Sequence, residues 1–187
     1  MEEKKVVLDR RKRLALNIVF MALCGVSGVF IKHLINPVSN VITGALHIPG
    51  GVSTAVSLMF LVIAAGVTKQ KWCAGTIGLV QGFTALSLGM VGSMGAFLPL
   101  SYIIPGVVVD LVMLIPDKGG FSAFLKAFFA NILASLSAAI FANFMVFHLP
   151  GIVLMVYLIV AALSGAICGL LATVIINKIN GFLEEKE

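Results

Sequence analysis

The sequence predicts an all-α membrane protein, a bundle of six transmembrane helices with both termini in the cytoplasm. Three observations predict it. Of the 187 residues, 60% are hydrophobic and only 11% are charged, whereas water-soluble domains carry about 25% charged residues. So little polar surface cannot cover a soluble globule. The apolar residues also gather into six long stretches separated by Pro, Gly or charge. Finally, six of the 13 Lys and Arg residues lie in the first thirteen positions: Lys4, Lys5, Arg10, Arg11, Lys12 and Arg13. A basic cluster beside an apolar stretch holds that end on the cytoplasmic side and attracts anionic lipid. The net charge of +5 therefore points to a bilayer surface, and nucleic acid is not an expected partner.

The length suits one membrane domain. Residues 1–13 form a basic cytoplasmic segment, 14–177 the six-helix domain, and 178–187 a cytoplasmic tail. The first span runs from Leu14 to about Ile35. It is too long for the apolar core of a signal peptide and no A-x-A site follows it, so it is expected to be retained. A connector with Asn36-Pro37 and the turn signal Ile48-Pro49-Gly50-Gly51 leads to the second span, Val52 to Val67. Lys69 and Lys71 precede the third span, Trp72 to about Met90. A Gly92–Gly95 turn precedes the fourth, Ala96 to Ile115, which stops at Pro116-Asp117-Lys118-Gly119-Gly120. The fifth runs from Phe121 to Phe147 and His148-Leu149-Pro150-Gly151 breaks it. The sixth runs from Ile152 to Ile176.

With the N-terminus inside, Lys69, Lys71, Lys118, Lys126, Lys178 and Lys186 all fall at the inner face. The outer connections hold no Lys or Arg apart from Lys32, at the outer end of the first span. This charge bias sets the orientation. It places His33, His47, His148, Asn36, Asn40 and Asn143 at a neutral, polar outer face.

Helices in lipid associate by close packing of small residues. Gly75, Gly78 and Gly82 share one face of the third span, and Gly165-x-x-x-Gly169 marks the sixth. Ala127, Ala130, Ala134, Ser137 and Ala142 line the fifth, and Ala22, Gly25 and Gly28 the first. Internal packing accounts for most of these; docking to another membrane subunit is the alternative, with the first span as its candidate. Asp110 is the one acidic residue well inside a span, so it faces protein or water, or is protonated. It is either a proton-coupling site or a structural partner of Lys126, Lys69 or Lys71 near the inner surface. The three cysteines (Cys24, Cys73, Cys168) are too scattered for a metal or redox motif and read as packing residues.

Polar residues gather in the outer halves of several spans: Ser53, Thr54 and Ser57; Gln81, Thr84 and Ser87; Ser101 and Tyr102; Asn143 and His148; Tyr157. Singly, each is a candidate interhelical hydrogen bond. Together they outline a pocket open to the outside, with aromatic walls and a few directed hydrogen bonds suited to a small, flat, polar heterocycle. The neutral outer face disfavours a highly charged ligand. The chain has no Walker lysine loop, no H-E-x-x-H, no G-x-S-x-G elbow and no paired carboxylates. Neither catalysis nor a cofactor or metal is expected.

The layout resembles the substrate-binding S component of an energy-coupling factor (ECF) transporter. The likeness rests on the basic N-terminus, six spans and three stretches: Leu46-His47-Ile48-Pro49-Gly50-Gly51; Gly75-Thr76-Ile77-Gly78-Leu79-Val80-Gln81-Gly82 followed by Leu88-Gly89; and Ile104-Pro105-Gly106-Val107-Val108-Val109-Asp110-Leu111. Their order is most similar to YkoE-type S components, associated with thiamine or its hydroxymethylpyrimidine precursor. The resemblance implies a protein of a bacterial-type plasma membrane that binds a vitamin from outside. It further implies a coupling subunit and two cytoplasmic ATPases as partners, inward release by toppling, and a lid over about Asn36 to Gly51. S components typically dock through A-x-x-x-A on the first helix; the nearest match here is Ala22-x-x-x-Val26, with Gly25 and Gly28 alongside. Cobalt and nickel S components use an N-terminal Met-His, whereas this chain begins Met1-Glu2, so metal uptake is not expected. The residues expected to bind substrate are Gln81, Tyr102, Asn143, His148 and Tyr157, with His47 on the lid. Gln81 and Asn143 would read a pyrimidine edge, and Tyr102 and Tyr157 would stack on a ring. A stand-alone permease or channel for a small polar solute is the alternative.

Overall fold

The computed structural model describes residues 2–45, 52–90, 92–116 and 120–184. Described residues form six α-helices and no strands: α1 (Glu2–Ala45), α2 (Val52–Thr68), α3 (Cys73–Ser87), α4 (Leu98–Met113), α5 (Gly120–Ala142) and α6 (Gly151–Glu184). A 3-10 turn, Gly92–Phe97, leads into α4, and a π turn, Asn143–Phe147, closes α5. A helix satisfies its own backbone hydrogen bonds, which a segment surrounded by hydrocarbon must do.

Four segments are long and apolar enough to cross a membrane: Arg11–Val41, Ser93–Met113, Phe124–Phe147 and Gly151–Leu183. α2 and α3 are apolar but shorter, with 17 and 15 residues. At 1.5 Å per residue they reach roughly 25 and 22 Å, against a hydrocarbon core of about 30 Å. Among the described residues six helices form where six were expected; four of them have the length and composition of a span, and α2 and α3 are shorter. The third ends at Ser87, just before Gly89, which takes a left-handed conformation, φ 70°, that glycine adopts without a Cβ clash. α2 compensates by position. It packs against all five other helices, and ten of its residues are buried, so protein rather than lipid surrounds most of it.

The first helix also departs from expectation. The connector placed after Ile35 is helical as far as Ala45, passing through Pro37. The lid expected over Asn36–Gly51 is therefore in its first ten residues a continuation of α1, and its remainder lies outside the described residues.

Two glycine seams hold the bundle. On α3, a Cβ at Gly78 would lie 2.5 Å from the Tyr102 carbonyl oxygen, and one at Gly82 2.6 Å from the Pro99 Cα. Gly106 of α4 returns the approach, 2.6 Å from the Ala74 carbonyl oxygen. The second seam joins α5 and α6, where a Cβ at Gly169 would lie 2.8 Å from the Phe128 carbonyl oxygen. The buried Asn131 amide donates to the Gly165 carbonyl there at 2.9 Å. These contacts bear out internal packing for the small-residue stripes of α3 and α6. The outer surface is the reverse: Leu16, Val19, Leu23, Val26, Phe30 and Leu34 of α1 are all exposed, as are Ile152, Met155, Ile159, Leu163 and Ile167 of α6. An apolar belt this long suits hydrocarbon and not water.

Candidate functional site

The helices leave a cavity of about 410 Å³ at the end remote from the basic N-terminal segment. α1 contributes Lys32, Asn36 and Asn40 to its wall, and α2 contributes Ser53 and Thr54. Met90, Ser93, Met94, Leu98 and Ser101 close one side; Ser135 to Ala142, Phe147, Tyr157 and Ala161 close the other. The size is typical of a small-molecule site, and so is the mixture of apolar walls with a few polar groups.

The helix starts explain much of the wall. Ser53 opens α2, and its backbone N–H donates to the Ser39 Oγ at 3.4 Å, which ties the start of α2 to the last turns of α1. On the opposite wall, the Asn143 Oδ1 accepts the Leu149 N–H at 2.8 Å. This bond closes the turn before α6, in which His148 sits at φ 45°. Phe147 then packs edge-on against Tyr157, centroids 6.3 Å apart and planes at 89°.

Of the residues expected to bind substrate, Tyr157 lines the cavity and is buried. Tyr102 is buried and not itself on the wall, although its neighbour Ser101 is, and its hydroxyl accepts a hydrogen bond from the wall residue Lys32, whose Nζ lies 2.9 Å away. The ammonium also lies 4.5 Å from the Tyr102 ring centroid, within cation–π range. A ligand cannot stack on that ring from the face Lys32 covers.

The remaining expectations are displaced. Gln81 is fully buried between α1 and α2, away from the cavity wall; its Oε1 accepts from the Ser57 Oγ at 3.4 Å, and its Nε2 has no partner. Gly28 leaves room for that amide, because a Cβ there would collide with the Gln81 Nε2. The Asn143 oxygen is engaged by the backbone of the turn, so it serves structure. His148 is exposed, with its Nδ1 3.3 Å from the Val146 carbonyl oxygen, and is not on the wall. His47 lies outside the described residues. Lys32, Asn36 and Asn40 line the cavity but were not among the residues expected there. The signal for Lys32 was available, as the one basic residue in the outer half of the chain's layout; the signal for the two Asn residues was hidden by reading them as connector.

The expected docking face of α1 divides. Ala22 and Val26 are exposed, whereas Gly25 and Gly28 are buried. A Cβ at Gly25 would meet the Ile77 side chain at 3.5 Å. The two glycines belong to the α1–α3 contact, and Ala22 and Val26 alone are left on the outward surface.

At the opposite end, Asp110 has a structural role that replaces the expected lysine partner. Its Oδ1 accepts the Ala74 N–H at 3.0 Å and its Oδ2 the Gly75 N–H at 2.7 Å. Trp72, the residue preceding α3, provides no side-chain cap. A carboxylate from α4 thus caps α3 from outside, satisfying two of the donors every helix start leaves open and complementing the helix dipole. Among the described residues no group of three His, Cys, Asp or Glu side chains is placed to hold a metal.

No family model, curated protein or solved structure matches the chain.

Proposed function

We propose that the chain is the substrate-binding membrane subunit of an ECF-type importer, which takes up a vitamin or vitamin precursor. The observation that carries this reading is the cavity at the end remote from the basic segment. By the positive-inside rule the basic end is cytoplasmic, so the cavity opens toward the outside, where an importer must capture its ligand. All six helices cross the bilayer in this reading, with the short α2 and α3 sheltered by their neighbours and both termini inside. Its compartment is a bacterial-type plasma membrane.

The chain has no nucleotide-binding loop, so uptake would be driven by partners: a transmembrane coupling subunit and two ATPases. The exposed Ala22 and Val26 on α1 are the proposed docking contacts. The sequence resemblance makes hydroxymethylpyrimidine and thiamine the first compounds to try.

Affinity purification from membranes tests the assembly, and calorimetry with a vitamin panel tests the site. Recovery of an ATPase pair together with saturable binding is the expected result. Saturable uptake into liposomes by the purified chain alone would instead establish a stand-alone permease. Absence of any binding by folded protein would remove the ligand-binding claim.

A further inference from the structure

Among the described residues Lys32 is the only charged one on the cavity wall. Lys32 lies within α1, well before its end at Ala45, and its ammonium turns inward, half-buried, to the Tyr102 hydroxyl. That hydroxyl positions the charge without neutralising it. Among the described residues no acidic side chain lies on this wall. In sequence the eight acidic residues are Glu2, Glu3, Asp9, Asp110, Asp117, Glu184, Glu185 and Glu187, and Asp110 sits at the opposite end of the bundle, on the start of α3.

A half-buried cation inside a membrane-spanning segment is costly unless paired. We infer that the ligand supplies the pairing group: the cavity binds a small monocarboxylate whose carboxylate meets the Lys32 ammonium. This rests on the cavity being the substrate site and names the ligand's chemistry within it. The ammonium has three N–H donors; one goes to Tyr102, leaving two for a carboxylate. The other polar groups on the wall, Asn36, Asn40, Ser53, Thr54 and Ser101, are neutral. One positive charge among neutral donors and acceptors matches one negative charge, not a di-anion. The same ammonium opposes a cation such as thiamine.

The test is calorimetry on the full-length protein in nanodiscs with matched pairs in which a neutral amide replaces the carboxylate: nicotinate and nicotinamide, biotin and biotinamide, pantothenate and pantothenamide. Hydroxymethylpyrimidine and thiamine complete the panel. At least one acid is expected to bind, about 100-fold more tightly than its neutral partner, the scale of a charge-assisted hydrogen-bonded pair. Lys32→Met is expected to abolish that preference and Lys32→Arg to retain most of it, each with a thermal melt to establish folding. Tyr102→Phe keeps the charge but frees it, so it should weaken acid binding less than Lys32→Met.

If a neutral or cationic member binds best, the carboxylate inference is overturned while the binding-subunit reading stands. Acid binding that survives Lys32→Met within about threefold, less than 1 kcal/mol, likewise overturns it. If no member binds to folded protein, the inference falls together with the reading beneath it.

Discussion

Asp110→Ala separates a structural from a transport role for the one carboxylate inside the bundle. The substitution removes both acceptors at the start of α3 and strands the N–H groups of Ala74 and Gly75. Ala74 is fully buried, and Asp110 is itself only 4% exposed, so water has little access to replace the carboxylate. An unsatisfied buried donor costs about 1–3 kcal/mol, and loss of a negative charge at a helix N-terminus adds about 0.3–1 kcal/mol. Since the first turn of α3 relaxes in part, a total of about 2–4 kcal/mol is expected. Asp110→Asn retains one acceptor oxygen and sets an NH2 against the other amide, so it should fall about midway.

Thermal unfolding in detergent measures the global loss. Cys73 reports the local one: it is buried, 1% exposed, in the first turn of α3, and should gain reactivity toward a maleimide in a Cys24→Ala/Cys168→Ala background. Unchanged melting and a protected Cys73 in Asp110→Ala would refute the capping argument. A variant that is fully stable yet inactive in uptake would favour proton coupling instead.

Two further predictions follow from packing. Gly78→Ala places a methyl 2.5 Å from the Tyr102 carbonyl oxygen, a backbone atom that cannot swing aside, so α3 and α4 must part at a cost of about 1–3 kcal/mol; a melt that is unchanged would show the seam to be looser. Gln81→Met removes a buried amide nitrogen that lacks a partner, and the Ser57 hydroxyl that loses its 3.4 Å acceptor can turn to a carbonyl of its own helix, so stability should change by less than about 1 kcal/mol and ligand affinity should not change. A large loss of affinity in a folded Gln81→Met protein would return Gln81 to the binding site.

What the sequence by itself determined is what sums along the chain. Apolar run length determined the helices, and the Lys and Arg distribution determined that the molecule has two unlike ends. Small-residue spacing placed Gly75, Gly78 and Gly82 on one face, because a helix repeats every 3.6 residues whatever it packs against. Tertiary structure decided what depends on a partner distant in sequence. Asp110 could be read as buried, but that its oxygens meet amides 35 and 36 residues away follows from the glycine seam that brings α4 against the start of α3. Gln81 and Tyr157 look equally eligible as binding residues; one is sealed between α1 and α2 and the other faces the cavity, according to which side of each helix the neighbours occupy. Hydropathy marked the second stretch, Val52 to Val67, as short of a bilayer's thickness, but could not show that burial among the other helices shelters it from lipid. Nor could it turn Lys32 inward: that required Tyr102 to arrive from another helix, within hydrogen-bonding reach of an ammonium that a linear reading leaves at the membrane surface.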